Sequence, residues 1–470
     1  MKKTKIICTL GPASDSEEVL IKMIENGMNV ARLNFSHGNY EEQQARIDRV
    51  KAVREKLGRP VPILLDTKGP EFRIGMFKDN QIVLNAGDSF TFTSEDVPGD
   101  QSRVSVSYKG LPEELEVGSI ILVNDGLVKF EVKDKSATEL NCEVLIGGKL
   151  SNRKSMSFPG KVLKQKFLSD QDKSDLLFGI KNDVDFVAAS FVSTAQDMID
   201  MRSFLDENGG ERIQIIAKIE NQSGVDCAEE ILNYCEGLMV ARGDLGVEIP
   251  YAELPAIQKR LINLCRRKGG ISVTATEMLE SMINNPRPTR AEISDVANAV
   301  FDGSSVVMLS GESAMGNYPA EAVAAMAAIA EDAERNTDYE ARFNGEYFML
   351  SGPTDALSHS ACQLAIDTGA DCIVACTKTG STGRMVSRFR APTPIIGMTT
   401  SRKAYRQLDL SWNVFPVLVP EYSGSDELFG KALEVAESSG FAGKGDLVVV
   451  TGGLTAKPGE SKLIYMDTVK

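Results

Sequence analysis

Histidine is almost missing from this chain: only His37 and His359 occur in 470 residues. Histidine-built zinc and iron centres are thereby excluded, and a Ser-His-Asp triad has almost no material. Eight cysteines exist (Cys8, Cys142, Cys227, Cys235, Cys265, Cys362, Cys372, Cys376), but no C-x-x-C occurs. Neither a zinc ribbon nor a disulfide framework is expected, and the thiols read as reduced and cytoplasmic. Long apolar runs are absent too. The longest, 322–330, falls far below the ~20 residues a membrane span needs. The Met1-Lys2-Lys3 start imitates a signal peptide, yet its apolar segment ends at Gly11-Pro12, short of an h-region of roughly 7–15 residues. Positive charge is outweighed, with 52 Lys+Arg against 66 Asp+Glu and a net charge of −14. That balance argues against a nucleic-acid or anionic-membrane binder.

What is present is regular. At ~150 residues per domain the length suggests about three domains. Short apolar runs at 5–10, 30–35, 61–65, 185–191, 214–219, 237–241, 271–275 and 305–309 alternate with amphipathic helical segments. The first helix reads from a Ser14-x-x-Glu17 capping box to Gly27. Strand–helix alternation implies a parallel sheet, and eight such units predict a (β/α)8 TIM barrel. A doubly wound open sheet is the rival. Residues 71–168 differ, with short alternating segments at 81–86, 89–93, 119–123, 128–132 and 139–145 set among Gly, Asp and Asn turns. They predict a small β-barrel inserted at the third strand-to-helix loop, placed as a lid. A helix at 320–334 closes the barrel. A further α/β domain follows, with a helix at 356–368 and strands at 372–375, 395–399, 415–418, 447–451 and 463–466. The expected division is 1–70 and 169–345 for the barrel, 71–168 for the lid and 346–470 for the C-terminal domain.

Polar residues cluster at the strand ends. Side chains two apart share a strand face. Arg32, Asn34 and Ser36 are so spaced, as are Lys218 and Glu220, Arg242 and Asp244, and Thr274 and Thr276; Asp66, Thr67 and Arg73 follow the third strand. An isolated Lys-x-Glu is usually a surface pair. Five strands converging on one rim make solvated decoration a poor account, and charges at that face are paired or functional. Glu220 and Asp244, without histidine or cysteine beside them, suit Mg2+ or Mn2+. Arg32, Arg73 and Lys218 suit a phosphate and a developing anion. Together these are the parts of phosphoryl transfer. Both G-x-x-x-x-G-K-[ST] and G-x-G-x-x-G are absent. Any nucleotide is therefore held by another route. The bland alternative for the two carboxylates is salt bridging to Lys218 and Arg242.

The chain resembles the pyruvate kinase family from end to end. The most specific stretch is 213–225, IQIIAKIENQSGV, similar to the family's signature around its catalytic lysine. RLNFSHG (32–38), DTKGPE (66–71), MVARGDLGVEIP (239–250), ATEMLESM (275–282) and NPRPTRAE (285–292) are further family motifs in family order. The resemblance implies a barrel, an inserted lid and a C-terminal effector domain. It implies catalytic roles for Lys218, Thr276 and Arg32, with Thr276 on a water-relayed proton path. It implies substrate contacts at Arg32, Arg73, Ser190, Phe191, Lys218, Ala241, Arg242, Gly243, Asp244 and Thr276, the 241–244 backbone cradling a carboxylate. Mg2+ (or Mn2+) falls to Glu220 and Asp244, and K+ to Asn34, Ser36, Asp66 and Thr67. Pro12, Asn34, His37, Arg73 and Lys154 look like nucleotide contacts. The implied reaction is phosphoenolpyruvate + ADP + H+ → pyruvate + ATP, in a cytoplasmic homotetramer with a contact at 285–290.

Thr377, Lys378, Thr379, Ser381 and Thr382 follow a strand and precede a helix, as a phosphate-binding loop does, although an ordinary capped turn looks the same. The family places its effector loop here, which implies activation by fructose 1,6-bisphosphate or another sugar phosphate. Lys431 and Lys457 stand in the second half of that pocket. Some positions depart from the family: Asn124-Asp125 for two aspartates at the lid tip, VLKQKFL at the return hinge 162–168, and Gln171, Met315 and Asn317 for lysines. They put lid closure and the rate in question. Two rival readings stand beside the kinase. One is another Mg2+-dependent barrel acting on phosphoenolpyruvate or an α-keto acid without ADP. The other is a silent sugar-phosphate sensor.

Overall fold

The computed structural model describes residues 1–161, 163–453 and 463–470. Eight parallel strands close a barrel in chain order: Lys5–Thr9, Val30–Asn34, Ile63–Asp66, Phe186–Ala189, Gln214–Ile219, Gly237–Ala241, Ile271–Ala275 and Val306–Leu309. The open-sheet rival is excluded by that closure. Ile7, Leu64, Phe186, Ile216, Met239 and Val306 fill the interior. Alternate residues of the same strands face the helices; Ile6, Leu33, Leu65, Ala217, Val240 and Val307 join that outer core. Both faces are apolar, which is why the strands read as continuous apolar runs.

Strand ends differ from expectation where the backbone turns early. The fourth strand stops at Ala189, because Phe191 adopts a left-handed φ of 56°. The third begins at Ile63, after Val61 with φ 25° and Pro62. The expected Ser14 capping box does not form. Ser14 closes the short turn Pro12–Ser14, and Ser16 caps the helix Glu17–Glu25 by accepting from Val19 N–H at 3.1 Å. The closing helix runs Pro319–Arg335.

The lid is a curled seven-stranded sheet in the order Phe72–Arg73, Ser155–Ser157, Ile120–Val123, Val128–Lys135, Glu139–Ile146, Ser89–Thr93 and Arg103–Ser105. A bridge between Ile74 and Val106, with Gly75 N–H donating to Ser105 O at 2.8 Å, joins its two edges. Gln81–Leu84 pairs with Gly148–Ser151 beside it. Val128, Phe130 and Val132 alternate inward and meet Leu140, Cys142 and Val144. Phe90, Phe92 and Phe130 form the centre, with ring centroids 4.9–5.7 Å apart. The very short strands at 72–73, 103–105 and 155–157 lack a readable alternation, and a one-turn helix, Leu111–Glu114, breaks the all-β expectation.

The C-terminal sheet has the order Val414–Leu418, Ile395–Thr399, Cys372–Cys376, Leu447–Gly452 and Leu463–Thr468. Only the last strand is antiparallel. Helices Pro353–Thr368 and Gly424–Ser438 contribute to apolar clusters on this sheet. This domain docks on the barrel's N-terminal end. Leu410 enters the barrel-interior cluster fully buried, and Lys5 Nζ donates to Val414 O at 2.6 Å. Burying one leucine so is worth about 2 kcal/mol. All eight cysteines are unpaired thiols. Among the described residues no helix is long and apolar enough to cross a membrane.

Candidate active site

The C-terminal ends of the barrel strands bring five charged side chains together. Asp66, fully buried at the end of the third strand, is their hub. Arg32 Nε donates to its Oδ2 at 2.6 Å and Lys218 Nζ to its Oδ1 at 3.1 Å. Arg32 is itself held by Thr9 Oγ1, 2.7 Å from Nη1. Lys218 Nζ also donates to Ser190 Oγ at 2.7 Å, and that hydroxyl lies 2.6 Å from the Thr67 carbonyl it donates to. Burial alone would raise the Asp66 carboxyl, but Arg32 and Lys218 override it and hold it below its ordinary value. Burial likewise opposes the Lys218 ammonium. Asp66 and Glu220 outweigh it and hold this group above its ordinary value, so it is cationic at neutral pH.

Glu220 is the next element. It is fully buried; its Oε2 accepts the Phe191 N–H at 2.6 Å, which the left-handed turn at Phe191 presents. Its Oε1 lies 3.0 Å from Lys218 Nζ as an ion pair, off the donor direction, and receives no hydrogen bond. Burial, aided by Asp244, pushes the Glu220 carboxyl up to about 7. Asp244 is raised as well, again by burial first, and opens on the cleft from the helix Arg242–Glu248. Two crowded carboxylates with an oxygen lacking a donor are the donor set a hard divalent cation completes, the remaining positions going to water and substrate oxygens. Among the described residues no group of three or more His, Cys, Asp and Glu is arranged to hold a metal ion by itself.

Thr276 and Arg242 depart from the alternation argument. Thr276 leaves its strand with φ 67°; its Oγ1 accepts the Gly243 N–H at 2.7 Å and lies 2.6 Å from its own preceding carbonyl. Thr274 points to the helix-facing side of its strand, beside Val240 and Val307, with its hydroxyl 2.7 Å from that of Ser304. Arg242 starts a helix, so it does not share a strand face with Asp244. Its guanidinium pairs with Asp295 at 2.6 Å and donates to the Thr276 and Glu277 carbonyls. The bland alternative for the carboxylates therefore holds for Lys218 and Glu220 and fails for Arg242.

The remaining expected residues stand around this centre. Asn34 Oδ1 accepts the Ser36 N–H at 3.0 Å in the turn after the second strand. Pro12 and His37 are exposed on the rim. Arg73 and Lys154 belong to the lid. Arg73 donates to Arg153 O at 2.6 Å and is paired with Glu71. Thr9, Glu71 and Asp295, which position Arg32, Arg73 and Arg242, escaped the sequence reading. Thr9 carried a signal, a polar residue ending the first strand; Asp295 carried none. In the C-terminal domain Thr377 Oγ1 accepts the Gly380 N–H at 2.9 Å, and Thr379 Oγ1 lies 3.1 Å from Ser381 Oγ. Lys378 Nζ is 3.9 Å from Glu421, and Thr382 is buried at the start of the helix Ser381–Ser387. Lys431 faces Glu434 at 3.7 Å. Val162 of the hinge and Lys457 lie outside the described residues.

Comparison with known proteins agrees along the whole chain. The family profile described as "Pyruvate kinase, barrel domain" matches residues 1–323, and "Pyruvate kinase, alpha/beta domain" matches 355–465. The pyruvate kinase of Clostridium acetobutylicum is 44% identical over 474 residues, covering 100% of both chains. That of Staphylococcus haemolyticus is 45% identical over 473 residues, covering 100% of this chain and 81% of the relative. The crystal structure of a pyruvate kinase from Cryptosporidium parvum superposes with a TM-score of 0.94 at 36% identity, covering 100% of this chain and 96% of that one. With a lysine–carboxylate centre at the mouth of a lidded barrel and relatives of this closeness over its full length, the chain belongs to the pyruvate kinase family, whose members transfer the phosphoryl group of phosphoenolpyruvate to ADP.

Proposed function

We propose that Lys218 is the principal charge stabiliser of this transfer. The observation that carries it is the ammonium held between Asp66, Ser190 and Glu220 at the barrel mouth. A terminal oxygen of ADP attacks phosphorus, the bond to the enol oxygen breaks, and negative charge grows on the departing enolate. Lys218 stabilises that charge, with Arg32 and the lid's Arg73 on the phosphoryl oxygens. The enolate carbon then takes a proton through water ordered by Thr276. The hydroxyl is too weak an acid to act alone near pH 7. Backbone N–H groups of 241–244, with Ser190 and Phe191 beneath them, face the substrate carboxylate; the Gly243 N–H already serves Thr276.

Glu220 and Asp244 are the residues to hold Mg2+ or Mn2+, which supplies Lewis-acid charge to the substrate oxygens. Asn34, Ser36, Asp66 and Thr67 are the residues to hold K+. Pro12, Asn34, His37, Arg73 and Lys154 line the way in for ADP. Separate apolar cores in barrel, lid and C-terminal domain support a division near 70/71, 168/169 and 345/346, although Phe167 and Leu168 pack in the barrel core and Phe343 in the C-terminal one. Eight free thiols support a cytoplasmic setting. ADP-dependent pyruvate formation that survives in Lys218→Met at near wild-type rate would sink the assignment of Lys218.

The loop Thr377, Lys378, Thr379, Ser381 and Thr382 is the site we assign to a sugar phosphate such as fructose 1,6-bisphosphate, supported by its hydroxyls and lysine around a glycine turn (Gly380, φ 88°). Activation would shift the phosphoenolpyruvate saturation curve to the left. An unaltered effector response in Thr382→Glu would place the effector elsewhere. A homotetramer with contacts at 285–290 completes the reading, supported by exposed Arg287 and Arg290 in that segment. Sedimentation as a monomer at working concentration rejects it.

A further inference from the structure

Behind the carboxylate pair, on the hinge side of the lid, lies a cleft of about 520 Å³ that none of the roles above fills. One wall is the lid's return path, 155–158 and the hinge beyond it. The other is built from the barrel loops at 193–197 and 221–226 and the end of the helix Arg242–Glu248. The cleft meets the reaction centre at Phe191 and Asp244. Arg32, Asp66, Lys218, Glu220 and Thr276 do not line it. Its volume is that of clefts holding small organic molecules, roughly 300–1,000 Å³.

The lining has a definite chemistry. Phe72, Phe158, Phe167 and Phe191 come from both walls, Phe72 and Phe158 meeting edge to face at 5.3 Å. The polar atoms left without partners are acceptors: Glu71 Oε2 and Gln165 Oε1 are buried and receive no hydrogen bond. Glu248 lies beside Ser157 and the Phe158 backbone, which draw its carboxyl down only in part. Burial pushes its carboxyl above the ordinary range, and no lysine or arginine among the described residues offsets that. Asp226 stands on the barrel wall. The cleft's lysines, Lys161 and Lys164, are exposed on the hinge. Rings on both walls with acceptors lacking donors suit a ligand that brings donors and positive charge on an apolar body.

We infer that this cleft binds a small organic cation, an aromatic or other apolar body carrying an amine, amidine or guanidine, and that its occupant ties the lid to the barrel. Lid and barrel each supply one wall, so a molecule touching both favours one lid angle over the others. Product release and lid reopening then slow, and kcat falls in a way that excess substrate does not reverse.

Benzamidine is the probe, with benzamide and benzoate as neutral and anionic controls. Binding is read by titration calorimetry on the full chain with phosphoenolpyruvate, Mg2+ and K+ present and ADP omitted. The expected result is saturable benzamidine binding that persists under saturating phosphoenolpyruvate and exceeds that of both controls. Binding weakens about tenfold in Glu248→Gln, and weakens again in Asp226→Asn, an exposed position whose neutralisation leaves the fold intact. Thermal unfolding curves matching wild type establish that both variants are folded. Absent binding, displacement by phosphoenolpyruvate, equal binding of benzoate, or unchanged affinity in both variants overturns the inference. Binding is measured without turnover, so a failed kinase assay does not touch this result, and normal turnover without binding refutes this inference alone.

Discussion

At the N-terminal end of the barrel, Asp185 is fully buried, with Arg406 Nε at 2.7 Å on one oxygen and the Ile63 N–H at 3.0 Å on the other. Lys403 Nζ lies 3.5 Å away, and Gln407 donates to the Asp185 carbonyl at 3.1 Å. At the C-terminal end Glu220 is just as deeply buried, yet one of its oxygens receives no hydrogen bond. The residue types are the same at both ends. What differs is completion. The lower network is closed by the docked C-terminal domain and holds structure together; the upper one is left open toward a cleft. A buried charge with every partner in place locks two elements, while a buried charge with a vacant lone pair awaits a ligand.

Lys218→Met breaks the upper network where it matters most. It should lower kcat by about a thousandfold or more while the protein still folds, at an unfolding midpoint lowered by the loss of a partner for buried Asp66 and Glu220. Glu220→Ala comes next, and should raise the Mg2+ concentration for half-activation by about a hundredfold; an unchanged Mg2+ dependence would remove Glu220 from the metal site. In the lower network Asp185→Asn takes the buried carboxylate away from Arg406 and Lys403, leaving them only the largely exposed Asp183, and should cost about 3 kcal/mol. Denaturant unfolding reads that loss, with turnover per folded molecule unchanged.

The smallest effect is at Asp183, half outside the lower network. Burial would raise its carboxyl, but Lys403 and Arg406 hold it below the ordinary value. A depressed carboxyl stabilises the fold at pH above its unfolded value of about 4, and that contribution fades as pH falls through the folded value. Asp183→Asn should therefore lower the unfolding temperature at pH 7 by a small amount, discounted for solvent exposure. The gap to wild type should close under acid. A gap that widens as pH falls would reverse the sign of this contribution.

The comparison also explains what could be read in advance. The barrel was legible because strands covered on both faces become unbroken apolar runs. Lys218 and Glu220 were legible because the chain stays extended through Ile219, keeping the pair on one side. Arg242 was misread by the same rule, since its strand ends at Ala241 and a helix turns its guanidinium to Asp295. The hub role of Asp66 was hidden because Arg32 and Lys218, 34 and 152 residues away, meet only in the closed barrel. Ser190 and Phe191 came from family likeness alone, for nothing in an apolar run marks a left-handed turn at its end. The lid's two- and three-residue strands were too short to display alternation.

The measurement that bears most directly on this account is a paired one. Pyruvate formation from phosphoenolpyruvate, with and without ADP in Mg2+ and K+, is recorded for wild type, Lys218→Met and Asp185→Asn, beside the unfolding transition of each. The account predicts ADP-dependent turnover lost per folded molecule in Lys218→Met, and retained per folded molecule in a destabilised Asp185→Asn. Near wild-type turnover in Lys218→Met, or lost turnover at full stability in Asp185→Asn, would contradict it.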